Sequence, residues 1–300
     1  MHFRSHIKDD KTKKLRLDHM GHLQPISIKK QKRRTSPFLL LLPIILFLIG
    51  YFFTPLPTRL LVLGIDETPP GTYFGRSDTI LLLKLQPALL QAAMVSIPRD
   101  LWVSIEGYGE NRINTAHFFA ELDNPGSGAI YSLKTINALF GLDIHYYVRF
   151  SFEGFKEIID SLGGITINVD KQTAGLPAGR YHLNGEQALE FVRERKSADD
   201  FARMQNAQTF ITAFLIQLLK PESVPNYPNL TSSVFHSIDT NIPLWQYPRL
   251  AIALLFGMIT GPDTNTIDRS MVYPITTSEG ANVLLPEWSL ITPFIQEKMR

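Results

Sequence analysis

The hydrophobic pattern in the first third of the main domain predicts three short strands. Apolar runs rich in branched side chains cover Arg59–Asp66, Thr79–Leu85 and Ala92–Ile97, and each has the length of a strand. The connections between them are too short for the crossovers that join parallel neighbours. The pattern therefore predicts that these strands are antiparallel to one another in sequence order.

Beyond this stretch, helical and alternating patterns follow one another loosely. Ser151 is predicted to cap a helix, and Asn184 with Gln187 fits a capping box that starts another. Because strands and helices alternate, we expect an α/β fold with a mixed central β-sheet flanked by helices. The pattern predicts strands at 145–150, 165–170 and 270–274, helices at 129–140, 152–162, 185–192, about 200–220, 244–258 and 289–299, a loop entering a helix at 110–122, and a loop at 222–243.

A charge-free segment precedes the main domain. It runs from Phe38 to Phe53, which is short of the roughly 20 residues of a typical membrane-spanning helix. A cleaved signal peptide is the alternative, but bulky aromatic residues occupy the candidate cleavage site at 51–53. We therefore expect one N-terminal transmembrane helix at 37–56, a basic cytoplasmic tail at 1–36, and an extracytoplasmic domain at 57–300 of a single-pass protein in the cytoplasmic membrane.

Charge and cysteine content narrow the range of functions. Residues 1–36 hold 11 Lys/Arg and 3 Asp/Glu, against 19 and 25 in the remainder. The basic character therefore belongs to the tail, and we expect no nucleic-acid partner for the main domain. The chain has no cysteine, which excludes disulfides, thiolate metal sites and cysteine nucleophiles.

Charged residues collect at the tips of the first three strands. Asp66 and Asp78 end one strand and begin the next, and paired carboxylates beside a phosphate suit Mg²⁺. The alternative is that each aspartate caps a turn. The crowding of charge at one edge weakens that alternative, since Arg76, Arg99 and Asp100 lie at neighbouring tips.

A second set of cations precedes and enters the long helix. Arg193 and Arg195 come before its N-terminus and Arg203 lies in its first turn, where free N–H groups also favour an anion. Guanidinium groups match phosphate oxygens, so a diphosphate is one candidate ligand. The alternative is a solvated surface on which the arginines pair with Asp199 and Asp200.

Several motifs occur together in one order along the chain. They are LLVLGIDE (60–67), GRSDTILLLKL (75–85), MVSIPRD (94–100), NRINTAH (111–117), YYVRFSFEGFKEIIDSLGGITINVD (146–170), HLNGEQALEFVRER (182–195) and DDFAR (199–203), with a weaker match at VLLPEW (283–288). In these motifs the chain resembles the LytR–CpsA–Psr family of cell-envelope enzymes. The basic tail and single anchor also match that family's layout.

The resemblance implies transfer of a phosphorylated glycopolymer from a polyprenyl-diphosphate carrier to peptidoglycan. It implies that the enzyme depends on Mg²⁺, and that the apolar face of the long helix lines a lipid tunnel. Carried over by position, the metal ligands are Asp66 and Asp78, and the diphosphate-binding residues are Arg76, Arg99, Arg193, Arg195 and Arg203. Our catalytic candidates are Arg99, Asp100, Arg203 and Asp200. Asp100 and Asp200 are alternatives for the general base.

The second motif departs from the family pattern Asp-x-Gly-Arg-x-x-Arg-Gln at its last two positions. Asn206 and Ala207 stand there, so we expect one phosphate contact to be lost, with Lys196 or Gln208 as candidates to replace it. Two other functions stay open. One is hydrolysis of the lipid diphosphate, with water replacing the acceptor. The other, which the departure at Asn206 and Ala207 keeps open, is a membrane-anchored lipid-binding or regulatory role without catalysis.

Overall fold

The computed structural model describes residues 15–17, 20–25, 37–54, 56–66, 69, 72–89, 91–169, 172–173, 175–193 and 200–300. The chain divides into two units, residues 1–48 and 49–300. In the first unit, strands β1 (Leu15–Leu17) and β2 (Leu23–Pro25) pair antiparallel. Most of the predicted basic tail lies outside the described residues.

Helix α1 (Pro37–Phe52) covers most of the predicted anchor and contains Pro43. It has 16 residues, and its side chains from Leu41 to Gly50 are exposed. None of the helices in the described part of the chain is both long enough and apolar enough to span a membrane.

A six-stranded mixed sheet forms the centre of the second unit, in the order β11-β8-β3-β4-β5-β12. Neighbours β3–β4 and β4–β5 are antiparallel, as predicted, whereas β3–β8 and β5–β12 are parallel. The ends of β3 and β5 and the start of β4 therefore lie at one edge. The strands are β3 (Thr58–Ile65), β4 (Ser77–Gln86), β5 (Gln91–Ser96), β8 (Tyr146–Ser151), β11 (Ile238–Thr240) and β12 (Asp263–Thr266).

Helices cover both faces of this sheet because its central strands are apolar on both faces. Leu61, Leu63 and Ile65 pack in the largest core, together with residues of α2, α3 and α9, whereas Leu60 packs with α8 on the other face. The mixed α/β architecture is thus confirmed. The helices are α2 (Thr115–Asp123), α3 (Gly128–Phe140), α4 (Phe152–Ser161), α5 (Gly185–Arg193), α6 (Asp200–Leu218), α7 (Tyr227–Ser237), α8 (Tyr247–Thr260) and α9 (Trp288–Met299).

Three short hairpins flank the sheet and were not predicted in full. They are β6 (Trp102–Ile105) with β7 (Gly109–Arg112), β9 (Ile165–Val169) with β10 (Gly179–Leu183), and β13 (Val272–Thr276) with β14 (Asn282–Pro286). The prediction of a loop at 222–243 is wrong, because 3₁₀ turns, α7 and β11 occupy it. The buried Leu230 on α7 packs against α4, which explains why this polar segment is helical.

Candidate active site

The return from β3 to β4 places both candidate metal ligands at the same edge of the sheet. Asp66 follows β3, and its backbone N–H donates to the Arg76 carbonyl at 3.0 Å. The register shifts between Gly64 and Ile65, which pair with Thr79 and Ser77, so Asp78 is the extra residue of a bulge. Bulges re-aim side chains beside functional sites. A Cβ on Gly75 would lie 2.2 Å from the Asp66 carbonyl oxygen, so only glycine allows this close approach.

Arginines from two different elements converge on Asp78. Arg99, which follows β5, donates from Nη1 to Asp78 Oδ2 at 2.6 Å, and Arg203 Nη2 on α6 lies 3.6 Å from the same oxygen. The Asp78 side chain is 5% exposed and that of Arg203 is 9% exposed. Since charge-assisted bonds strengthen away from water, this trio is a fixed, positively charged cluster at the sheet edge.

Arg193, the last residue of α5, pairs with the other carboxylate. Its Nη2 donates to Asp66 Oδ1 at 3.0 Å, and its guanidinium lies 4.6 Å from the centre of the Phe152 ring. The reciprocal capping box predicted at Asn184 and Gln187 is present and starts this helix. The helix thus delivers Arg193 to the strand tips, and both sets of candidate cations meet one pair of aspartates.

Asp100 lies next to this cluster and has a partner that the sequence interpretation missed. Its carboxylate is 3.5 Å from Arg99 Nε and 3.1 Å from Arg112 Nε at the end of β7. Arg112 belongs to the NRINTAH motif, and this cation in a recognised motif could have marked it as a candidate site residue. Its pairing with Asp100 was missed because the hairpin that brings the two residues together was not predicted.

The remaining candidates are placed only in part. The Arg76 side chain is exposed, at the base of the connection between β3 and β4, where the Arg76 carbonyl pairs with the Asp66 N–H. Arg195, Lys196 and Asp199 lie outside the described residues, so predictions about them stay predictions. Asp200 begins α6, but its side chain also lies outside the described part of the chain.

The two residues that depart from the family pattern are both accounted for in the packing. Asn206 is buried and its Nδ2 donates to the Phe191 carbonyl on α5 at 3.3 Å, which ties the two helices together. Ala207 lines a cavity of about 30 Å³ with Asp78, Arg99 and Arg203. Gln208 instead donates to Ser96 Oγ at 2.9 Å and to carbonyl and hydroxyl groups of β12. Its amide nitrogen thus supports the strand ends rather than joining the arginines.

A buried ionic network supports the turn that carries Asp66 and Asp78. Arg149 on β8 donates to Glu121 on α2 and, from Nε, to Asp239 on β11 at 2.6 Å. Glu121 also accepts from the Gly128 N–H at 3.0 Å, and a Cβ at Gly128 would clash with it at 2.6 Å. Burial alone would raise the pKa of Glu121, but the hydrogen bonds from the backbone and Arg149 outweigh it and lower that pKa.

His117 connects this network to the turn. Its Nδ1 lies 2.9 Å from the Gly75 carbonyl oxygen, and its Nε2 lies 3.2 Å from Arg149 Nη1. A carbonyl only accepts, so Nδ1 carries the proton and Nε2 accepts from Arg149. Burial, reinforced by the charge of Arg149, lowers the pKa of His117 to about 4. The imidazole is therefore neutral and bridges the network to the turn.

We expect this histidine to make folding sensitive to acid. Its pKa falls from 6.5 to about 4 on folding. The unfolded chain therefore binds the proton more tightly, and stability present above about pH 6.5 is lost as the pH falls to 4. Relative to His117→Asn, which does not titrate, the wild type should lose about 3 kcal/mol more between pH 7 and pH 4. Urea unfolding followed by intrinsic fluorescence measures the difference.

His145→Asn, at an exposed histidine, is the matched control. If the free energy of unfolding depends on pH equally in the wild type and in His117→Asn, the lowered pKa assigned to His117 is wrong.

Asp66 and Asp78 are the carboxylates that would hold a metal ion at the strand tips. Among the described residues, no group of three or more His, Cys, Asp or Glu side chains could hold one. Mg²⁺ does not require such a cage, because it takes one or two carboxylates together with phosphate oxygens and water. The buried Asn114 Oδ1, which has no hydrogen-bond partner among the described residues, lies near the tips, since its backbone bonds to Ser77 and Arg99. This oxygen-only donor set is compatible with Mg²⁺.

A family model describes most of the chain. Residues 55–278 match the model of the LytR_cpsA_psr family. The matched region includes the whole central sheet and every candidate residue named above.

Curated relatives match about three fifths of the chain. A polyisoprenyl-teichoic acid–peptidoglycan teichoic acid transferase TagU from Oceanobacillus iheyensis is 35% identical over 192 residues, covering 62% of this chain and 59% of that protein. The TagU of Bacillus mycoides is 33% identical over 193 residues, covering 62% and 60%. The chain thus spans about three fifths of the length of these relatives.

Solved structures share the fold. The crystal structure of B. subtilis TagV superposes with a TM-score of 0.64 at 23% identity, covering 82% of this chain and 98% of that chain. TagT bound to LI-WTA superposes with a TM-score of 0.62 at 22% identity, covering 81% and 90%. Identities this low establish that the fold is shared, but not the family. The family is established by the family model, which covers more than half of the chain. This protein therefore belongs to the LytR_cpsA_psr family.

Proposed function

We propose that the protein transfers a phosphorylated glycopolymer from a polyprenyl-diphosphate carrier to peptidoglycan. The observation that carries the proposal is the convergence of Arg99 and Arg203 on Asp78, with Arg193 held beside it by Asp66. Three guanidiniums from three elements at one sheet edge suit a diphosphate better than they suit an anion with a single negative charge. The names of the TagU relatives point to a polymer of the teichoic-acid type.

In this proposal a peptidoglycan hydroxyl attacks the phosphorus attached to the glycopolymer. A new P–O bond forms, the bond to the carrier breaks, and polyprenyl phosphate leaves. Arg99, Arg203 and Arg193 offset the negative charge on the phosphoryl oxygens in the transition state. Asp100 is the proposed acceptor of the hydroxyl proton, because its carboxylate lies beside Arg99 at the same edge. Asp200 stays the alternative.

The aspartates act first as counter-ions and then as proposed metal ligands. Before substrate binds, Asp66 and Asp78 offset part of the charge of the three arginines. We propose that Asp66 and Asp78 hold Mg²⁺ when the diphosphate enters. The ion would supply positive charge to the phosphate oxygens. The arginines can then exchange their carboxylate partners for phosphate oxygens. Because three arginines face two aspartates, the cluster keeps a net positive charge that favours an anionic ligand.

The lipid part of the donor needs more room than the site offers. The cavity that Arg99 and Arg203 line between α6 and the sheet is about 30 Å³, the space of a water molecule, and Ile80, Ile97, Val192 and Met204 also line it. The resemblance implies that the apolar face of α6 lines a lipid tunnel, but Phe210 and Phe214 on that helix pack in a separate core with β9 and β10. Binding a polyprenyl chain here would require α6 to separate from the strands.

We further propose that residues 37–56 anchor the protein in the cytoplasmic membrane with the catalytic domain outside. The proposal is supported by the absence of charge from Phe38 to Phe53 and by the exposed apolar side chains of α1. The basic residues before this segment favour a cytoplasmic N-terminus. An anchor at this position would hold the active site close to a membrane-bound donor.

The proposed reaction has a direct test. Full-length protein is given donor labelled in the glycopolymer, with and without peptidoglycan. We expect the label to become bound to peptidoglycan when this acceptor is supplied, and to stay on the donor when it is omitted. Transfer should be lost with EDTA and restored by Mg²⁺. Release of free phosphorylated glycan at the same rate without acceptor would indicate the hydrolase instead.

The departure at Asn206 and Ala207 favours one rival function. Neither side chain offers a cation at the family's arginine position, and the Asn206 amide is engaged by the Phe191 carbonyl. A lipid-binding or regulatory protein would retain donor binding without turnover. Donor bound tightly, with no label transferred or released in the presence of Mg²⁺, would establish this alternative and refute the transferase.

A further inference from the structure

A second cavity, larger than the one between α6 and the sheet, opens beside the arginine cluster. Its volume is about 640 Å³, and we call it the hairpin groove because β13 and β14 form much of its wall. Asp100 and Phe201, the latter at the start of α6, are among its lining residues, and so are Arg269 and Thr276. The groove therefore includes the residue proposed to accept the hydroxyl proton.

The wall of the groove is fastened to the tips of the active-site strands. The Leu284 N–H donates to the Asp100 carbonyl at 3.0 Å, and Arg112 Nη2 donates to the Asn282 carbonyl at 2.8 Å. Arg112 also pairs with the Asp100 carboxylate. A ligand held by the hairpin is thus kept in a fixed relation to Asp100 and Arg99.

The composition of the groove matches a carbohydrate. Apolar surface from Pro274 and Ile275 lies beside the polar groups of Thr276 and Asn282. Sugar rings present apolar C–H faces and hydroxyl edges, so they need both kinds of surface in one cleft. The guanidinium of Arg269 lies 5.5 Å from the centre of the Phe201 ring, which holds a hydrogen-bond donor over the groove.

The charges in the groove distinguish between the two glycans of the proposed reaction. Among its described lining residues, Asp100 and Arg269 are the ionised groups, and their charges cancel. The donor polymer, if it is of the teichoic-acid type, repeats a negative phosphate and would need a net positive surface. The sugar backbone of peptidoglycan carries no such repeating phosphate, so it fits this surface better.

The arrangement of the two cavities leads to the same assignment. An in-line displacement places the attacking and leaving oxygens on opposite sides of phosphorus. Arg99 lines the cavity of about 30 Å³, whose lining also includes the apolar Ile80 and Ile97, and its neighbour Asp100 lines the hairpin groove. A phosphorus bound at Arg99 would thus have a separate cavity on its Asp100 side, where the attacking hydroxyl would enter.

We infer that the hairpin groove binds the acceptor, a peptidoglycan sugar chain, and presents one of its hydroxyls to Asp100. This inference rests on the proposed function for the identity of the acceptor. Arg269 and Thr276 are the residues that determine acceptor binding. Neither belongs to the diphosphate cluster.

Two groove variants and a matched control test the inference. Arg269→Ala removes the cationic donor, and Thr276→Trp fills the groove. Tyr273→Ala changes an exposed residue of the same strand that does not line it. With full-length protein and soluble uncross-linked peptidoglycan strands, calorimetry should show affinity lowered about tenfold in both groove variants and unchanged in the control. Arg269→Ala loses a charged hydrogen bond, and Thr276→Trp occupies space that the sugar chain needs. In the transfer assay their KM for acceptor should rise by a similar factor, with kcat and the KM for donor retained.

The outcomes separate this inference from the proposed function. Groove variants that melt like the wild type and bind peptidoglycan equally well would overturn the inference, even if transfer is active. A raised KM for donor with an unchanged KM for acceptor would overturn it too, since the groove would then hold the donor glycan. If no transfer occurs but the groove variants alone lose peptidoglycan binding, the groove assignment stands and the transferase does not.

Discussion

Arg203→Ala is expected to lower the rate of transfer by about 10²–10³, the usual cost of removing one preorganised group that stabilises transition-state charge. Arg203 is nearly buried at the N-terminal turn of α6 and shares Asp78 with Arg99. Its fixed position means that little reorganisation is needed when charge develops on the phosphoryl oxygens. Single-turnover rates with labelled donor and saturating peptidoglycan measure the effect.

The fold should survive this substitution, because Arg99 still pairs with Asp78 at 2.6 Å. Arg203→Lys keeps the charge but loses the planar fork, so its rate should lie between those of wild type and Arg203→Ala. Arg180→Ala, at an exposed arginine of β10, is the control and should transfer normally. A rate within threefold of wild type for Arg203→Ala, with the melting temperature unchanged, would show that Arg203 is not an active-site residue.

Arg149→Met is expected to destabilise the protein by about 3–5 kcal/mol, the cost of leaving a buried carboxylate without its cation. The side chains of Arg149 and Glu121 are each 5% exposed, and Asp239 also pairs with Arg149. Urea unfolding at pH 7 measures the loss. The double variant Glu121→Gln/Arg149→Met should recover part of it, because the buried charge is then removed as well.

The control for this effect is an exposed ion pair. Lys156 bridges Glu153 and Glu186, whose side chains are 71% and 74% exposed, so Lys156→Ala should cost at most about 1 kcal/mol. Equal losses in the free energy of unfolding for Arg149→Met and Lys156→Ala would show that the buried network stabilises the protein no more than an exposed ion pair does. The comparison therefore isolates the effect of burial from that of charge pairing.

Local patterns predicted those elements whose own side chains determine them. Ser151 caps α4 through the Gly154 N–H, and the Asn184–Gln187 box forms as expected. Both contacts lie within one helical turn, where sequence distance and spatial distance agree. The apolar runs of β3, β4 and β5 were also predicted, since continuous burial on two faces needs continuous apolar sequence.

Elements that depend on distant partners were not predicted. Strand β12, Asp263–Thr266, is polar and short, and it is a strand because its backbone pairs with β5. The pairing of Arg112 with Asp100 likewise depends on a hairpin that the sequence pattern did not reveal.

The buried network had a signal in the sequence that was not used. Alternation in β8 places Arg149 on the same face as the buried Tyr147, and a charged residue at an inward position needs a buried partner. The partner itself, Glu121, could not be identified, because α2 and β8 meet only in the folded chain.

The parallel pairing of β5 with β12 has a consequence for the order of synthesis. Residues 91–96 find their outer neighbour at 263–266, so β5 is an open edge until most of the chain has been made. An uncovered strand edge can pair with other chains. Nascent or truncated forms that end before β12 would thus expose an aggregation-prone edge that the full chain covers. The polar strand β12 thus protects apolar strands that are made well before it.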